Sequence, residues 1–410
     1  MSAVALPILE HAPLAAPRSR DLCTDCGISR SADPSRCGRA CQFINPRYAE
    51  LEERVHGRSR AAGRPDELHF GVHVQMLRGR LVPGGAGAQW SGIATRLGER
   101  LLESGAVDAV LATAADAADR WAPRPVLVTR AEEMAQCRGM KMGYSPLLAL
   151  LDEAAARGFR RLAVIGIPCQ VHALRALERE LGLERLYVIG TPCSDNTTTA
   201  RFHQFLELLT DRPDEVTYLE FLADYHVELR FRDGRVHRIP FIQLPIAQLP
   251  SDFIPLTCRA CFDYANALAD VTVGYMGGAG DQWLLVRNGR GRELVNLLGG
   301  ELETKPLVTS GRRQGPVRTF LRALERSAGG LPLRRAPRWL RPMIGWAMTT
   351  FGPRGLEFAR TRVEMKAVEG IVNLRTHRPR RLRRMVPAHA WQLAAAYGLV
   401  PRDGETGGGH

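Results

Sequence analysis

The sequence predicts an α/β fold: a mixed sheet flanked by helices, extended by a basic, mostly helical C-terminal region. Three observations carry this. Two near-copies of one phrase, LAVIGIPCQ (162–170) and LYVIGTPCS (186–194), each run an apolar, β-branched stretch into Gly-x-Pro-Cys and then a helical segment. Such a run, bounded by Gly and Pro, reads as a buried strand of a parallel sheet. Two of them 24 residues apart read as a βαβ crossover. Residues 216–240 alternate around an Asp-Gly pair and read as a β-hairpin. Beyond about residue 300 the chain turns basic and helical.

At 410 residues the chain can bury a large core and form two or more domains. The pattern divides it into a cysteine-rich segment (1–60), an N-terminal α/β region (61–150), a central α/β domain (151–300) and the basic region (301–410). No stretch approaches about 18 uninterrupted apolar residues, so a membrane span is not expected. The N-terminus lacks a basic region before a sustained apolar core, so no signal peptide is read there. Nine cysteines in paired spacings fit metal ligation in a reducing cytoplasm better than disulfides. The net charge of +13 calls for an acidic partner. Nucleic acid lacks a supporting motif, whereas an acidic electron carrier or an anionic membrane surface meets the same charge.

Residues 21–45 carry Cys23, Cys26, Cys37 and Cys41, spaced C-x2-C-x10-C-x3-C. Such a loop can fold around a metal with little other support, and iron–sulfur clusters and structural zinc both accept four cysteines. A helix over 45–60 and a strand over 68–77 follow. GGAGAQWSG (84–92) then precedes an amphipathic helix, and its backbone N–H groups can hold a phosphate. Gly85, Gln89, Trp90 and Ser91 are the candidate binding residues there. The turn RGMKMGYSP (138–146) adds Arg138, Lys141, Tyr144 and Ser145, a basic and hydroxyl-rich set suited to a dinucleotide pyrophosphate. Cys137 has no partner at ligand spacing and reads as structural.

The twin phrases place Cys169 and Cys193 just past two parallel strands, at the sheet edge where open α/β folds bind ligands. Cys258 and Cys261 follow at C-x2-C spacing. Four thiolates at one edge make a metal or iron–sulfur site. Asp224, Tyr225 and His226 fall in the first strand of the hairpin, and Tyr225 and His226 are the candidate proton donors. ADVTVGYMGG and QWLLVRN read as two strands, the second ending in an Asn-Gly turn. Gly274 and Gly277 would let a flat ring or a cluster approach the backbone. RAPRWLRPMIGWAMTTFG (335–352) is either an interfacial helix or a helix packed on the core.

Together the cysteine loop, the Pro-Cys phrases, C-x2-C-x-Asp and ADVTVGYMG resemble the beta-subunit family of deazaflavin-reducing hydrogenases and dehydrogenases. CTDCG, LEERVHGR, QWSGIATRL, RGMKMGYSP, IGIPCQVHALR, IGTPCSDNTTT and ADYHVELRF look most like its chlorophyll-pathway branch. The similarity covers roughly residues 20–300. It implies FAD and two 4Fe-4S clusters, one on Cys169, Cys193, Cys258 and Cys261. The other would take Cys23, Cys26 and Cys41, with Cys37 as fourth ligand, since relatives carry a cysteine where this chain has Ser29. Lys141 and Ser145 fall in the turn the family uses around FAD. The activity implied is ferredoxin-dependent reduction of the 8-vinyl group of a 3,8-divinyl (proto)chlorophyllide. The alternative within the branch is reduction of a 7-hydroxymethyl chlorophyll. A tetrapyrrole substrate, reduced ferredoxin, a cytoplasmic location near the photosynthetic membrane and a homo-oligomer complete the expectation. The rival from another class is a zinc-stabilised scaffold that binds nucleic acid through its Arg-rich C-terminal region.

Overall fold

The twin phrases form neighbouring parallel strands whose glycines stand opposite each other, Gly166 beside Gly190. The fold is described from a computed structural model covering residues 21–406 apart from 223, 275–279 and 329–335. Its strands, in chain order, are β1 (Gln75–Leu81), β2 (Ala109–Ala115), β3 (Pro123–Val128), β4 (Arg161–Gly166), β5 (Arg185–Gly190), β6 (Val216–Phe221), β7 (His226–Phe231), β8 (Val236–Pro240), β9 (Val271–Gly274), β10 (Gln282–Val286), β11 (Leu302–Lys305) and the short pair β12 (Thr309–Ser310) and β13 (Arg354–Gly355). Among the described residues, eight of them make one mixed sheet in the order β11-β1-β10-β9-β5-β4-β2-β3. The central four, β9, β5, β4 and β2, are parallel. Both edges are antiparallel.

Helices cover both faces, which is why β4 and β5 are continuously apolar rather than alternating. On one face Ile93, Leu97 and Leu101 of the Ile93–Glu103 helix pack with Leu294 over β2, β9 and β10. On the other, Val171 and Leu174 of the Pro168–Leu177 helix pack with Leu148, Leu151 and the N-terminal Ile28 and Leu51. The C-terminal helices build a further cluster around Phe70, Trp283 and Ile371.

Three local expectations are corrected. Residues 68–77 are not one strand: Glu67–Phe70 is a short helix stopped at Gly71 in the left-handed region, and β1 begins at Gln75. Residues 216–240 form a three-stranded meander, β6-β7-β8, rather than a hairpin. The Asp233-Gly234 pair turns β7 into β8, but a bend in which the Tyr225 N–H meets Leu222 O at 3.3 Å separates β6 from β7. Asp224 and Tyr225 therefore lie in that bend, Tyr225 at φ 65°, and His226 opens β7. Finally, Asn288-Gly289 starts a helix, because the Asn288 side chain accepts the Gly291 N–H at 3.0 Å.

A buried carboxylate fastens the crossover helix to the sheet. Asp270 accepts the Val188 N–H at 2.7 Å and Asn288 Nδ2 at 2.8 Å, and it pairs with Arg175 at 2.8 Å and Arg290 at 3.0 Å. Burial raises the pKa of this carboxyl, but the two guanidiniums and the N–H donors outweigh it and hold the carboxyl below its ordinary value. Its stabilising contribution is therefore complete above that ordinary value and is lost as pH falls through the lowered one. Asp270→Ala leaves buried Arg175 with Glu178, at 3.0 Å, as its one remaining carboxylate among the described residues and should cost up to about 3–5 kcal/mol, read as a lower urea midpoint. Its stability should also fall less steeply than the parent's below about pH 4.

Candidate redox-cofactor site

The carboxyl ends of β4 and β5 organise the site. Asn266, in the left-handed region at φ 57°, donates Nδ2 to Gly166 O at 2.8 Å and to Thr191 O at 3.2 Å. It thereby stitches together the two strand ends that precede the Pro-Cys pairs. Cys193 N donates to Tyr264 O at 3.0 Å. These bonds lay the Cys258–Cys261 segment across both phrases. Pro192 rests on Gly274, where a Cβ would sit 2.2 Å from its ring, so Gly274 serves this packing. Gly277 lies outside the described residues.

The N-terminal loop docks beside this edge. Leu148 N donates to Cys26 O at 2.9 Å. Gly27, at φ +111°, approaches so closely that a Cβ would lie 2.4 Å from Ala149 N and 2.6 Å from Pro146 O. His172, on the helix begun by Pro168, clamps the far end of the loop. It meets Ala40 O through Nδ1 at 3.0 Å and takes the Arg47 N–H on Nε2 at 3.4 Å. Burial pulls its pKa down to about 4, in keeping with a neutral ring of that tautomer.

None of the nine cysteines forms a disulfide. Electrostatically they fall into two quartets and a remainder. Cys26 feels Cys41, Cys37 and Cys23, while Cys193 feels Cys258 and Cys261. Cys169 belongs with the second quartet but also feels Cys26 and is hydrogen-bonded by Thr24. Cys137 stands apart in the core, pushed up to about 11 by burial. Burial also pushes up Cys26, Cys169, Cys193 and Cys261, with Cys41 at about 11 and Cys258 at about 12. Backbone N–H groups oppose it: Ile28 at Cys26, Phe43 and Ile44 at Cys41, Asn196 at Cys258 and Asp263 at Cys261.

Several neighbours were not legible as site residues in the sequence. Gln42, buried, donates Nε2 to Cys261 Sγ at 3.5 Å while its Oε1 accepts Tyr48 OH at 2.6 Å. It bridges the N-terminal loop to the second quartet. Lys366, from the long Leu356–His377 helix, is buried against the same quartet. Its Nζ reaches Cys258 O at 2.6 Å, Asp195 at 2.9 Å and Glu369 at 3.0 Å. Its charge favours the thiolate form of Cys193, Cys258 and Cys261. The weak signal was a lysine among alternating apolar residues of a helix that is buried on more than one side.

The two turns read as a dinucleotide cradle do meet. Gly85 lies 3.6 Å, measured from an added Cβ, from the Arg138 guanidinium. Arg138 is engaged by Glu99 at 2.8 Å and by Ala86 O at 3.2 Å. Lys141 is a half-buried ammonium held by the carbonyls of Cys137, Arg138 and Gly139, at 2.6, 2.8 and 3.2 Å. Burial draws its pKa down to about 8. Ser91 and the Ile93 N–H, at the helix start, are both engaged by Gln282 Oε1, at 3.2 and 3.0 Å. Trp90 hydrogen-bonds Glu220 of the meander, and Gln89 is half-buried beside it. Ser145 meets Thr113 Oγ1 at 3.1 Å, and its carbonyl accepts Gln170 Nε2 at 2.8 Å, next to Cys169. Tyr144 feels Cys258, Cys169 and Cys23, so its half-buried phenol stands between the quartets.

Tyr225 and His226 lie elsewhere, in a cleft between the meander and the Arg341–Phe351 helix. Tyr225 OH donates to Pro353 O at 2.5 Å, and burial raises its pKa to about 12. His226 Nδ1 lies 3.1 Å from Asp224 O.

Residues 76–152 match the model for the N-terminal part of the coenzyme F420 hydrogenase/dehydrogenase beta subunit. Residues 159–310 match the model for the C terminus of the same beta subunit. The chain belongs to this family. It is 37% identical over 393 residues to the chloroplastic 7-hydroxymethyl chlorophyll a reductase of Oryza sativa subsp. japonica, covering 92% of this chain and 83% of that protein. An uncharacterized protein of Nostoc sp. is 38% identical over 93% of this chain and 94% of its own length. More distantly, one of the subunits of the F(420)H(2) dehydrogenase of Methanosarcina mazei is 26% identical over 57% of this chain and 65% of its own. A chain of the F420-reducing [NiFe] hydrogenase complex from Methanosarcina barkeri superposes with TM-score 0.52 at 25% identity, over 58% of this chain and 84% of that one. The protein is an oxidoreductase with the mixed α/β architecture of that hydrogenase chain.

Gly27→Ala should lift the cysteine loop from its seat, because the added methyl collides with backbone. Hydrogen exchange at the Leu148 amide should then speed by an order of magnitude or more, since about 1.4 kcal/mol of lost docking is already tenfold. Unchanged protection there would contradict the seating.

Proposed function

We propose that this oxidoreductase reduces a chlorophyll-type tetrapyrrole, taking single electrons from reduced ferredoxin, with the 8-vinyl group of 3,8-divinyl (proto)chlorophyllide as the reacting group. The observation that carries the reading is the run of contacts from one thiol quartet to the other and on to the Lys141 turn. Thr24 and Gln42 link the quartets, and Ser145 links the Cys169 helix to the turn. A vinyl reduction consumes two electrons and two protons, whereas a ferredoxin delivers one electron at a time. When bound, 4Fe-4S clusters supply single-electron transfer and FAD collects the electrons into a hydride equivalent.

The chain's own residues fit those groups. A single zinc ion needs its sulfurs about 2.3 Å from one point. A four-iron cluster instead binds each thiolate at a different iron, and N–H donors aimed at sulfur tune its potential. Cys23, Cys26, Cys37 and Cys41 would hold one cluster, and Cys169, Cys193, Cys258 and Cys261 the other. Lys366 would offset negative charge on the second. Lys141, a half-buried cation bonded to carbonyls, suits the flavin or its pyrophosphate, with Arg138, Gly85, Gln89 and Trp90 around it. Tyr144, between the quartets, is better placed than Tyr225 or His226 to give a proton near them. The basic surface suits an acidic ferredoxin.

The second reading is reduction of a 7-hydroxymethyl chlorophyll, favoured by the rice relative. Anaerobic purification should give flavin bands over a broad cluster absorbance and about eight irons per chain. Cys261→Ser should reduce this to about four irons by emptying one quartet only. With reduced ferredoxin, consumption of divinyl chlorophyllide supports the leading reading, and consumption of the 7-hydroxymethyl pigment alone replaces it with the second. A colourless protein carrying zinc would overturn both.

A further inference from the structure

The helix Arg341–Phe351, with the turn Arg338–Leu340 before it, is apolar yet has no buried residue. Trp339, Met343 and Trp346 recur at helical spacing and are 79%, 61% and 60% exposed, and Phe351 continues the ridge at 62%. Isolated exposed hydrophobes need no explanation, but four large ones along one face do. The opposite side of the helix is fixed. Gly345 sits against Ile242, with a Cβ there only 3.3 Å from its methyl, and the segment beyond is tied by the Tyr225–Pro353 hydrogen bond. Trp346 and Phe351 contact each other edge-on at 5.5 Å, so the ridge is preformed.

Its charge is one-sided. The sequence has no acidic residue between Glu325 and Glu357, and Arg338, Arg341 and Arg354 flank the helix. Arg341 bonds the Ala336 carbonyl at 3.0 Å and Arg354 the Thr349 carbonyl, contacts that leave both charges uncancelled. Tryptophan and phenylalanine on one face with arginine at its border is the composition of a helix lying in a membrane interface. A two-fold contact between copies would bring the same arginines face to face, which disfavours an isologous dimer through this ridge. No helix among the described residues is long and apolar enough to cross a bilayer. We propose that this ridge docks the protein peripherally on an anionic lipid bilayer, with Trp339, Met343, Trp346 and Phe351 entering the headgroup boundary and the arginines meeting lipid phosphates.

The test uses the full-length protein with its cofactors and vesicles of phosphatidylcholine, with or without phosphatidylglycerol. Cosedimentation is expected only with the anionic vesicles, to weaken with added salt, and to shift tryptophan emission to the blue. The variant W339S/W346S removes exposed side chains only and should bind roughly ten-fold or more weakly, with an unchanged cofactor spectrum and melting temperature. Equal binding to both vesicle types, or undiminished binding by the variant, overturns the proposal. So does a homo-oligomer in lipid-free solution that W339S/W346S dissociates, because the ridge would then belong to a second copy. Loss of reductase activity with vesicle binding intact would fault the functional reading and leave the docking surface standing.

Discussion

The register between β4 and β5 is the constraint on which the site depends. Gly166 faces Gly190, so both chains leave the sheet at one level, and Asn266 can reach the carbonyls of Gly166 and Thr191 together. A slip of one residue would move one strand end by about 3.3 Å and invert its buried side chains. The matched apolar runs prevent it, since Leu162, Ala163 and Val164 and their counterparts Leu186, Tyr187 and Val188 are all buried. Hydrophobic burial thus sets the register, the register sets the strand ends, and the strand ends place Cys169 and Cys193. Asn266 then draws in the segment that carries Cys258 and Cys261.

Bringing thiols and charges into the interior is costly, and the C-terminal helix supplies much of the compensation. Both sides of the Leu356–His377 helix are covered, and three of its buried polar residues reach distant partners. Glu364 takes His69 at 2.9 Å and Arg313 at 2.8 Å, Asn373 takes Arg259 at 3.1 Å, and Lys366 closes over the second quartet. Leaving any of these groups unpaired would cost more than the pair contributes. The C-terminal region is therefore built into the second quartet's wall, although it lies about a hundred residues further along the chain than Cys261.

What was legible in the sequence was local. The Pro-Cys phrases, the C-x2-C pairs, the Asp-Gly turn and the amphipathic Ile93–Glu103 helix each declare themselves within a window of a few residues, because turn chemistry and periodicity are short-range effects. The misreadings arose where tertiary contacts outweigh propensity. Residues 68–77 look β-branched and aromatic, yet Phe70 is drawn into the Trp283 cluster at the end of a short helix. At the start of the Ile93 helix, Gln282, from a strand far along the chain, accepts the Ile93 N–H, a partner no local pattern announces. Gln42 and Lys366 carry no spacing signal at all. Their roles exist only once the fold has brought them to the thiols.

The segment 142–149 explains why the parts form one site rather than three motifs. Met142 and Gly143 accept Thr199 Oγ1 and Asn196 Nδ2, just beyond the second Pro-Cys phrase, at 2.8 and 2.7 Å. Ser145 accepts Gln170 of the first phrase, and Leu148 holds the Cys26 carbonyl of the N-terminal loop. One short stretch of backbone therefore touches both phrases and the cysteine loop, with Tyr144 at its centre. Loops held only by their own turns would leave the two thiol quartets free to shift. Here they are fixed by hydrogen bonds to a segment that also carries the Lys141 turn. A change in any one of these elements is transmitted to the others through this segment, by side-chain bonds from Thr199, Asn196 and Gln170 and by the backbone bond to Cys26.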